Sequence, residues 1–268
     1  MQSGRVKLSV EDVSKTFRVR GGRYAEDSLL PVLRHISFDV KEGEIVSLVG
    51  ESGCGKTTLL RIVQGLVRLD AGNIRVDGAQ VTAPGRDRGF VFQQASLLPW
   101  RSARQNIEFG LELQGVARGP RGDRAQALLK LVGLEAAGEQ FPHQLSGGMQ
   151  QRVGLARALA IDPAILLMDE PFSALDAQTR EVLQRELLRI QAETGKTVLF
   201  VTHDLDEAIY LSNRVIVLGA KPGRIKMIID IPFASPRPEL PELRGDPRFQ
   251  RIRSEMWALI RNNAPVAA

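Results

Sequence analysis

The sequence of 268 residues is poor in cysteine, in aromatic residues and in long apolar runs. Its single cysteine, Cys54, excludes an internal disulfide and favours a reducing compartment. The three histidines, at positions 35, 143 and 203, lie too far apart to indicate a metal-ligand cluster. No apolar run approaches the roughly 18 residues of a membrane-spanning helix, and the first residues lack the apolar core of a signal peptide. Together these absences predict a soluble, cytosolic, globular protein.

The remaining composition is that of a folded domain, because 43% of the residues are apolar and 25% are charged. The formal net charge of +5 raises the question of a nucleic-acid partner. Neither a heptad run nor an interleaved aromatic and basic platform accompanies this charge. Most of the excess lies in residues 221–268, which hold nine basic and five acidic side chains. The charge therefore indicates a basic C-terminal tail, and we expect no nucleic-acid partner.

Strand-like and helix-like segments alternate along most of the chain. Apolar residues spaced three and four apart after Gly55 predict a helix that ends at Gly65. A second helix is predicted at residues 177–194, and it ends at Gly195. Such alternation predicts an α/β domain with a mainly parallel sheet. The predicted strands are residues 6–10, 36–40, 44–49, 165–168 and 197–201, with a polar loop at residues 18–31 between the first two.

Residues 93–160 interrupt this alternation, because their spacing is mostly helical over a length too great for one crossover. Prolines and glycines, such as Pro99 and Gly115, divide the stretch into several pieces. We therefore interpret it as a helical subdomain inserted into the α/β core.

The segment from Gly50 to Thr57 has the form G-x-x-x-x-G-K-[ST]. Its glycines let the backbone direct N–H groups at phosphate oxygens, and the dipole of the following helix adds to the attraction. Lys56 can reach the β- and γ-phosphates, and the Thr57 hydroxyl can bind Mg²⁺. A buried strand before the motif and an amphipathic helix after it supply the required context. We interpret the segment as a nucleotide-binding phosphate loop.

Two carboxylates, Asp169 and Glu170, directly follow a predicted apolar strand. In open parallel sheets, ligands bind at the carboxyl ends of the strands. Asp169 is suited to hold Mg²⁺, and Glu170 is suited to orient or deprotonate an attacking water. A solvated turn that caps the next helix is the alternative interpretation when the pair is considered in isolation.

The segment at residues 145–152 reads LSGGMQQR and opens a predicted helix. Ser146 at the N-cap, followed by two glycines, leaves the first N–H groups open to an anion, with the helix dipole behind them. On its own, this pattern is also typical of an ordinary capped helix.

The phosphate loop, the serine-glycine turn and the acidic pair, in this order, resemble the motifs of the ATP-binding-cassette (ABC) ATPases, whose LSGGQ signature is written LSGGM here. The resemblance covers residues 6–225. It implies a P-loop NTPase core with a mainly parallel sheet, N-terminal antiparallel β strands and an inserted helical subdomain. Met149 departs from the family's glutamine, and we expect tolerance there because backbone N–H groups and Ser146 bind the phosphate.

The resemblance also implies a role for each matching residue. Glu170, His203 and Gln93 are the implied catalytic residues, and Gln94 remains an alternative to Gln93. Asp176 lies in the loop that crosses to a second copy of the chain. The residues implied to contact ATP are Phe17, Gly50, Glu51, Ser52, Gly53, Cys54, Gly55, Lys56, Thr57 and Thr58. The residues implied to bind Mg²⁺ are Thr57, Gln93 and Asp169. The residues implied to contact the ATP of the second copy are Ser146, Gly147, Gly148, Met149 and Gln150. Phe17 is implied to stack on adenine, although a core residue at the end of a strand is the alternative.

In terms of domains, the resemblance implies an ABC ATPase domain at residues 1–225 and a short basic tail at 226–268. Within the domain, residues 1–92 and 161–225 form the catalytic core and 93–160 the helical subdomain. Residues 93–100, 202–208 and 219–225 are similar to the nitrate, sulfonate and taurine importer branch.

The function implied is ATP hydrolysis that drives import of a small oxyanion such as nitrate, sulfonate or taurine. The implied partners are a second copy in an ATP-sandwich dimer, integral membrane permease subunits and, indirectly, a solute-binding protein, with the chain peripheral at the cytoplasmic face of the inner membrane. Residues 97–100 are a candidate permease contact, or part of the local core. A lipid or efflux exporter subunit shares the same chemistry, and a soluble cassette ATPase acting on DNA or ribosomes is a further alternative.

In the basic tail, Phe249, Ile252, Met256, Leu259 and Ile260 follow helical spacing, with arginines around them. One interpretation is a helix docked on the core with a solvated basic face. The other is electrostatic attraction to an anionic membrane leaflet or to a membrane partner.

Overall fold

The computed structural model describes residues 4–19 and 28–261. These residues divide into two compact units, of which the second is Gly85–Val198 and the first comprises the described residues on either side of it. The strands are β1 (Val6–Val19), β2 (Ser28–Lys41), β3 (Ile45–Gly50), β4 (Ala71–Val76), β5 (Ala79–Gln80), β6 (Arg88–Val91), β7 (Ile165–Asp169), β8 (Thr197–Val201), β9 (Arg214–Leu218) and β10 (Ile225–Asp230). The helices are α1 (Lys56–Gln64), α2 (Ala103–Leu113), α3 (Arg118–Leu131), α4 (Gly147–Ala160), α5 (Ala177–Thr194), α6 (Leu205–Leu211), α7 (Leu240–Arg244) and α8 (Pro247–Arg261).

The first unit contains an antiparallel sheet in the order β2-β1-β4-β5, which confirms the expected N-terminal antiparallel strands. The prediction of short strands was wrong, because β1 continues to Val19 and β2 begins at Ser28. Val19 pairs with Ser28, so backbone hydrogen bonding across the hairpin extends both strands beyond their buried residues. Both ends of the predicted loop at 18–31 are therefore strand, and its middle, residues 20–27, lies outside the described residues.

A second sheet in the first unit carries the phosphate-loop motif. β3 pairs in parallel with β9, and β9 pairs in antiparallel fashion with β10. All six residues of β3 and all five of β8 are buried, which explains why both segments read as nearly unbroken apolar runs. β3 ends at Gly50, and α1 then runs from Lys56 to a left-handed Gly65, as predicted.

The second unit combines two parallel strands, β6 and β7, with four α-helices and two short 3-10 helices. α2 packs against α3 and α4, and α4 also packs against α5 and β6. β7 and α5 confirm the predicted strand and helix, and the left-handed Gly195 ends α5. The predicted helical subdomain, residues 93–160, falls within this unit, and its boundaries stay a prediction.

The tail segment forms part of the first unit. β10 pairs with β9, so residue 226 lies inside a strand, and α8 packs against α6 and β9. Phe249, Ile252 and Met256 of α8 are buried, and the Arg253 guanidinium binds Asp206 at 2.7 Å. The structure thus shows the docked helix, whereas attraction to a membrane stays a prediction and residues 262–268 lie outside the described residues. Among the described helices, none has the length and apolar character needed to cross a bilayer.

Candidate functional site

The phosphate-loop segment connects the buried strand β3 to the start of α1. Gly53 and Gly55 have φ of 80° and 96°, values that a residue with a side chain rarely adopts. Gly55 is the N-cap of α1 and provides no side-chain hydrogen bond, so the first N–H groups of the helix are not capped by a side chain. Thr57 and Thr58 lie in this first turn. The local chain is therefore shaped as an anion cradle.

Lys56 is buried, with only 6% of its surface exposed. Its Nζ donates to the carbonyl oxygens of Gly50 at 2.8 Å and Glu51 at 3.1 Å. These bonds compensate the burial of the charge and fold the ammonium back over the loop. The Cys54 thiol lies 3.9 Å from the same nitrogen, and burial raises the pKa of that thiol. Cys54 is therefore a packed neutral thiol and not a nucleophile.

Phe17 lies on β1 opposite Leu30 of β2. Its ring is 37% exposed, so Phe17 does not fill the core. The Lys15 ammonium lies 5.2 Å from the ring centroid and is held by Asp70 at 2.6 Å. The ring therefore offers a fixed aromatic surface on which a planar base can stack.

His203 lies two residues after the end of β8 and is exposed. The N–H of the preceding Thr202 donates to the carbonyl of Leu48 on β3, so β8 ends beside the strand that leads into the phosphate loop. Asp204 then caps α6 through the N–H groups of residues 206 and 207. Within the first unit, the fold thus brings His203 to the sheet edge where the phosphate loop begins.

In the second unit, the acidic pair lies at the end of β7. Asp169 is the last strand residue, and Glu170 has a φ of 47°, a left-handed backbone that is uncommon for a residue with a side chain. Ser173 fixes this turn, because its hydroxyl and its N–H both donate to the Glu170 carbonyl. Gln93 Nε2 donates to the Ser173 hydroxyl at 3.1 Å. The fold therefore brings Gln93 and Glu170 together through one serine.

The serine-glycine turn begins α4, as predicted. Ser146 is the N-cap, and its Oγ accepts a hydrogen bond from the Met149 N–H at 3.3 Å. Gln150 turns its amide back to the carbonyls of Pro142 and Leu145. Gly147 and Gly148 stand at the first two helical positions, and a Cβ on Gly148 would lie 2.7 Å from Thr179 of α5. The missing side chains thus allow close packing against α5 and leave the helix end accessible.

Asp176 caps α5 in the same manner. Its carboxylate accepts from the Thr179 N–H at 3.0 Å, and hydrogen bonds from the Thr179 backbone and side chain lower the pKa of Asp176. The side chain is exposed and ionised, so the loop before α5 presents a negative charge to solvent.

The candidate Mg²⁺ ligands are oxygen donors: the Thr57 hydroxyl, the Gln93 amide and the Asp169 carboxylate. Mg²⁺ prefers such donors, and it keeps several waters while binding one or two carboxylates together with substrate phosphates. Within residues 4–19 and 28–261, no group of three or more His, Cys, Asp and Glu side chains could hold a metal by itself. The chemistry of each of these three side chains fits Mg²⁺, and their assignment to one ion stays a prediction.

The segment that leads into α2 is a candidate contact for another protein. Asn106, which is buried, fixes it by bonding to both the N–H and the carbonyl of Leu98. Trp100 is 70% exposed, so at least this residue is not local core. A groove of about 490 Å³ adjoins it and is lined by Trp100, Arg101, Arg104, Gln105, Glu108, Glu112, Arg118 and Arg121.

Comparison with known proteins identifies the family of this chain. A model of the family described as ABC transporter matches residues 33–173, more than half of the chain. The chain belongs to the ABC transporter family. An uncharacterized ABC transporter ATP-binding protein of Methanocaldococcus jannaschii is 53% identical to this cassette over 87% of the chain and 85% of its own length. A taurine import ATP-binding protein of Rhizobium johnstonii is 45% identical over 94% of the chain and 96% of its own length.

The structure agrees with this assignment. The cassette is similar to a solved ATP-binding cassette described as a dimer in a post-hydrolysis state with ADP and Pi, with a TM-score of 0.70 and 36% identity. The match covers 84% of this chain and 98% of the solved one. The predicted P-loop NTPase fold is thus confirmed, and the cassette is an ATPase.

Two residues of the cassette make polar contacts that the sequence does not indicate. Gln151, buried in α4, donates through Nε2 to the carbonyls of Phe92 at 2.9 Å and Pro171 at 2.5 Å. It therefore joins the chain beside Gln93 to the chain beside Glu170. The other residue is Ser173, whose hydroxyl accepts from Gln93. The sequence does not indicate these contacts, because Gln151 lies 59 and 20 positions from its partners and Ser173 lies 80 positions from Gln93.

Proposed function

We propose that this cassette is the ATP-hydrolysing, energy-coupling subunit of an importer for a small oxyanion such as nitrate, sulfonate or taurine. The observation that carries the proposal is the left-handed glycine loop that leads into α1, with the buried Lys56 ammonium over it. The taurine import name of a relative 45% identical over most of the chain supports import.

In this proposal the first unit binds the nucleotide. The N–H groups of the loop and of the first turn of α1, together with Lys56, bind the phosphates, and Phe17 stacks on adenine. Thr57, Asp169 and Gln93 hold Mg²⁺, which neutralises phosphate charge when bound. Gln93 rather than Gln94 is assigned because its amide is fixed on Ser173.

Hydrolysis needs a positioned water and stabilisation of the charge that develops on the γ-phosphate. Glu170 orients and polarises that water as general base. The Ser173 bonds to the Glu170 carbonyl support this role, because they fix the backbone from which the carboxylate projects. His203 stabilises the developing charge.

We propose a dimer, because the chain has one phosphate loop and one signature turn, and by resemblance these belong to different ATP sites. We assign Ser146, Gly147, Gly148, Met149 and Gln150 to the ATP held by a second copy, and Asp176 to the loop that crosses to that copy. The dimeric state of the similar solved cassette supports this assignment.

The membrane partner is a permease subunit, which contacts the surface around Trp100, and a solute-binding protein acts through that permease. The chain is then peripheral at the cytoplasmic face of the inner membrane, with no nucleic acid involved. The exposed indole of Trp100 supports this contact, since large exposed aromatic residues are enriched at interfaces.

Affinity purification from detergent-solubilised membranes tests the importer role. We expect integral permease subunits to co-purify with the tagged wild-type cassette, and to be lost from Trp100→Asp. Trp257→Asp is the matched control, because Trp257 is also exposed, at 56%, and lies on α8. Recovery of nucleic acid without membrane proteins would contradict the proposal.

A further inference from the structure

The turn between β9 and β10 lies against the start of the phosphate loop. β9 runs parallel to β3, and Leu218 is level with Gly50 in their register. A Cβ on Gly50 would lie only 2.6 Å from the Leu218 carbonyl oxygen. The turn then closes on itself, because the Gly219 N–H donates to the Arg224 carbonyl at 2.8 Å. The first residue of the loop is thus packed on the end of β9.

Gly223, within this turn, is also bound to β2. Its N–H donates to the Val32 carbonyl at 2.8 Å, and its carbonyl accepts from the Arg34 N–H at 2.9 Å. Leu33, between those two residues, is buried and forms a β-bridge with Gly223. Gly223 is therefore fixed in position by two backbone hydrogen bonds and cannot move away from its neighbours without breaking them.

On its other side Gly223 touches the phosphate loop itself. A Cβ built on Gly223 overlaps the carbonyl oxygen of Cys54 and lies 3.2 Å from Leu33 Cδ2. A Cβ on Gly55 would meet the same methyl group at 2.6 Å. The obstacle at Gly223 is a backbone oxygen, which cannot swing aside as a side-chain end can. Only glycine at this position lets the turn approach the loop so closely.

We propose that Gly223 is a positioning residue for nucleotide binding. Its missing side chain lets the β9–β10 turn hold the Cys54–Gly55 peptide in the conformation that directs the loop N–H groups and the start of α1 at ATP phosphates. Gly223 itself does not touch the nucleotide. The inference rests on the phosphate-binding role proposed for this loop.

The test compares Gly223→Ala with Gly219→Ala in titrations of the full chain with a fluorescent ATP analogue. We expect the Kd of Gly223→Ala to rise about tenfold, because displaced N–H donors lose charge-assisted hydrogen bonds to phosphate. Gly219→Ala is the matched control in the same turn, since the three atoms nearest to a Cβ there all belong to the flexible Lys226 side chain. Simple loss of folded protein would lower the amplitude of the titration and leave its midpoint unchanged.

Cys54 supplies a second readout, because it is the only cysteine of the chain and its thiol is buried. A displaced Cys54 peptide exposes that thiol. We expect a thiol reagent to label Gly223→Ala at least about threefold faster than the wild type, because thiol reactivity follows exposure. Gly219→Ala should label at the wild-type rate.

Lys56→Ala in the same titration distinguishes a failure of the phosphate-loop role from a failure of the Gly223 inference. An unchanged Kd for Lys56→Ala contradicts the role of the phosphate loop, and the inference is then lost with it. If Lys56→Ala binds the ATP analogue more weakly while Gly223→Ala matches Gly219→Ala in Kd and labelling rate, the inference about Gly223 is overturned. The phosphate-binding role of the loop then stands. If Gly223→Ala does not fold, Leu33→Val takes its place, because it removes a methyl group packed between the two glycines. Wild-type Kd and labelling in that variant also overturn it.

Discussion

Two helices of this cassette start at segments assigned to ATP phosphates, and they differ in how their first N–H groups are satisfied. The N-cap of α1 is Gly55, with a φ of 96° and no side-chain hydrogen bond. The N-cap of α4 is Ser146, extended at a φ of −64°, and its Oγ accepts from the N–H of Met149. The first turn of α1 therefore has no side-chain cap, whereas one N–H group of α4 is satisfied by the Ser146 side chain.

The charges at the starts of the two helices also favour anion binding at α1 over α4. Lys56, the first residue of α1, adds a buried ammonium to the helix dipole. The first positions of α4 are Gly147 and Gly148, which add no charge. We therefore propose that α1 binds a triphosphate within one chain, while α4 is a weaker anion site that acts when a second copy brings a nucleotide to it.

Glu170→Gln should have the largest effect, because it removes the proposed base while keeping the size of the side chain. We expect ATP hydrolysis to fall at least about 100-fold, since general-base catalysis contributes about 10²–10⁴. ATP affinity should be unchanged, and an ATP-bound dimer should accumulate in which both helix ends hold nucleotide. Phosphate release and size-exclusion chromatography measure the two effects.

Glu193→Gln is the control for that variant, because Glu193 lies on α5 in the same unit and is bound only to Arg189 in an exposed ion pair. Its hydrolysis rate should equal that of the wild type. Near-normal turnover in Glu170→Gln would remove Glu170 from its assigned role.

Lys56→Ala tests the α1 side of the comparison. We expect ATP affinity to fall about 10- to 100-fold, because a charge-assisted hydrogen bond to phosphate is among the stronger interactions in proteins. Equilibrium titration with nucleotide measures it. Lys196→Ala is a suitable control, since Lys196 is a part-buried cation that also donates to a backbone carbonyl, that of Pro163 at 3.0 Å. Equal ATP affinities in Lys56→Ala and Lys196→Ala would mean that nucleotide binding at the start of α1 does not depend on the Lys56 ammonium.

The contrast also shows which parts of the site the sequence could reveal. The phosphate loop, the acidic pair and the Ser146 turn were found because their chemistry lies within a few consecutive residues. Gln151 was not, because its partners Phe92 and Pro171 lie 59 and 20 positions away. Such contacts follow from packing, which no local pattern encodes.

The errors in the predicted strand boundaries have a similar cause. The exposed residues at the paired ends of β1 and β2 show no strand pattern, and they become strand because the hairpin pairs them, as with Val19 and Ser28. By contrast, β3 and β8 were predicted well, because burial of every residue leaves a nearly unbroken apolar run in the sequence.

Ser146→Ala should have the smallest effect, and it tests the α4 side. Losing an N-cap costs about 1 kcal/mol of stability, so the melting temperature should fall. Ser102→Ala is the matched control, because Ser102 caps α2 through the N–H of Gln105 at the same 3.3 Å. Both variants should melt earlier, and neither should change the ATP affinity of the single chain.

The two serine variants should differ only when a second copy takes part. We expect Ser146→Ala to weaken ATP-dependent dimer formation in the Glu170→Gln background about tenfold, because one hydrogen bond to a charged phosphate is lost while the backbone N–H groups remain. Ser102→Ala should form that dimer normally. If both variants dimerise alike, Ser146 is only the cap of a helix, and the contrast between α1 and α4 is one of folding and not of nucleotide binding.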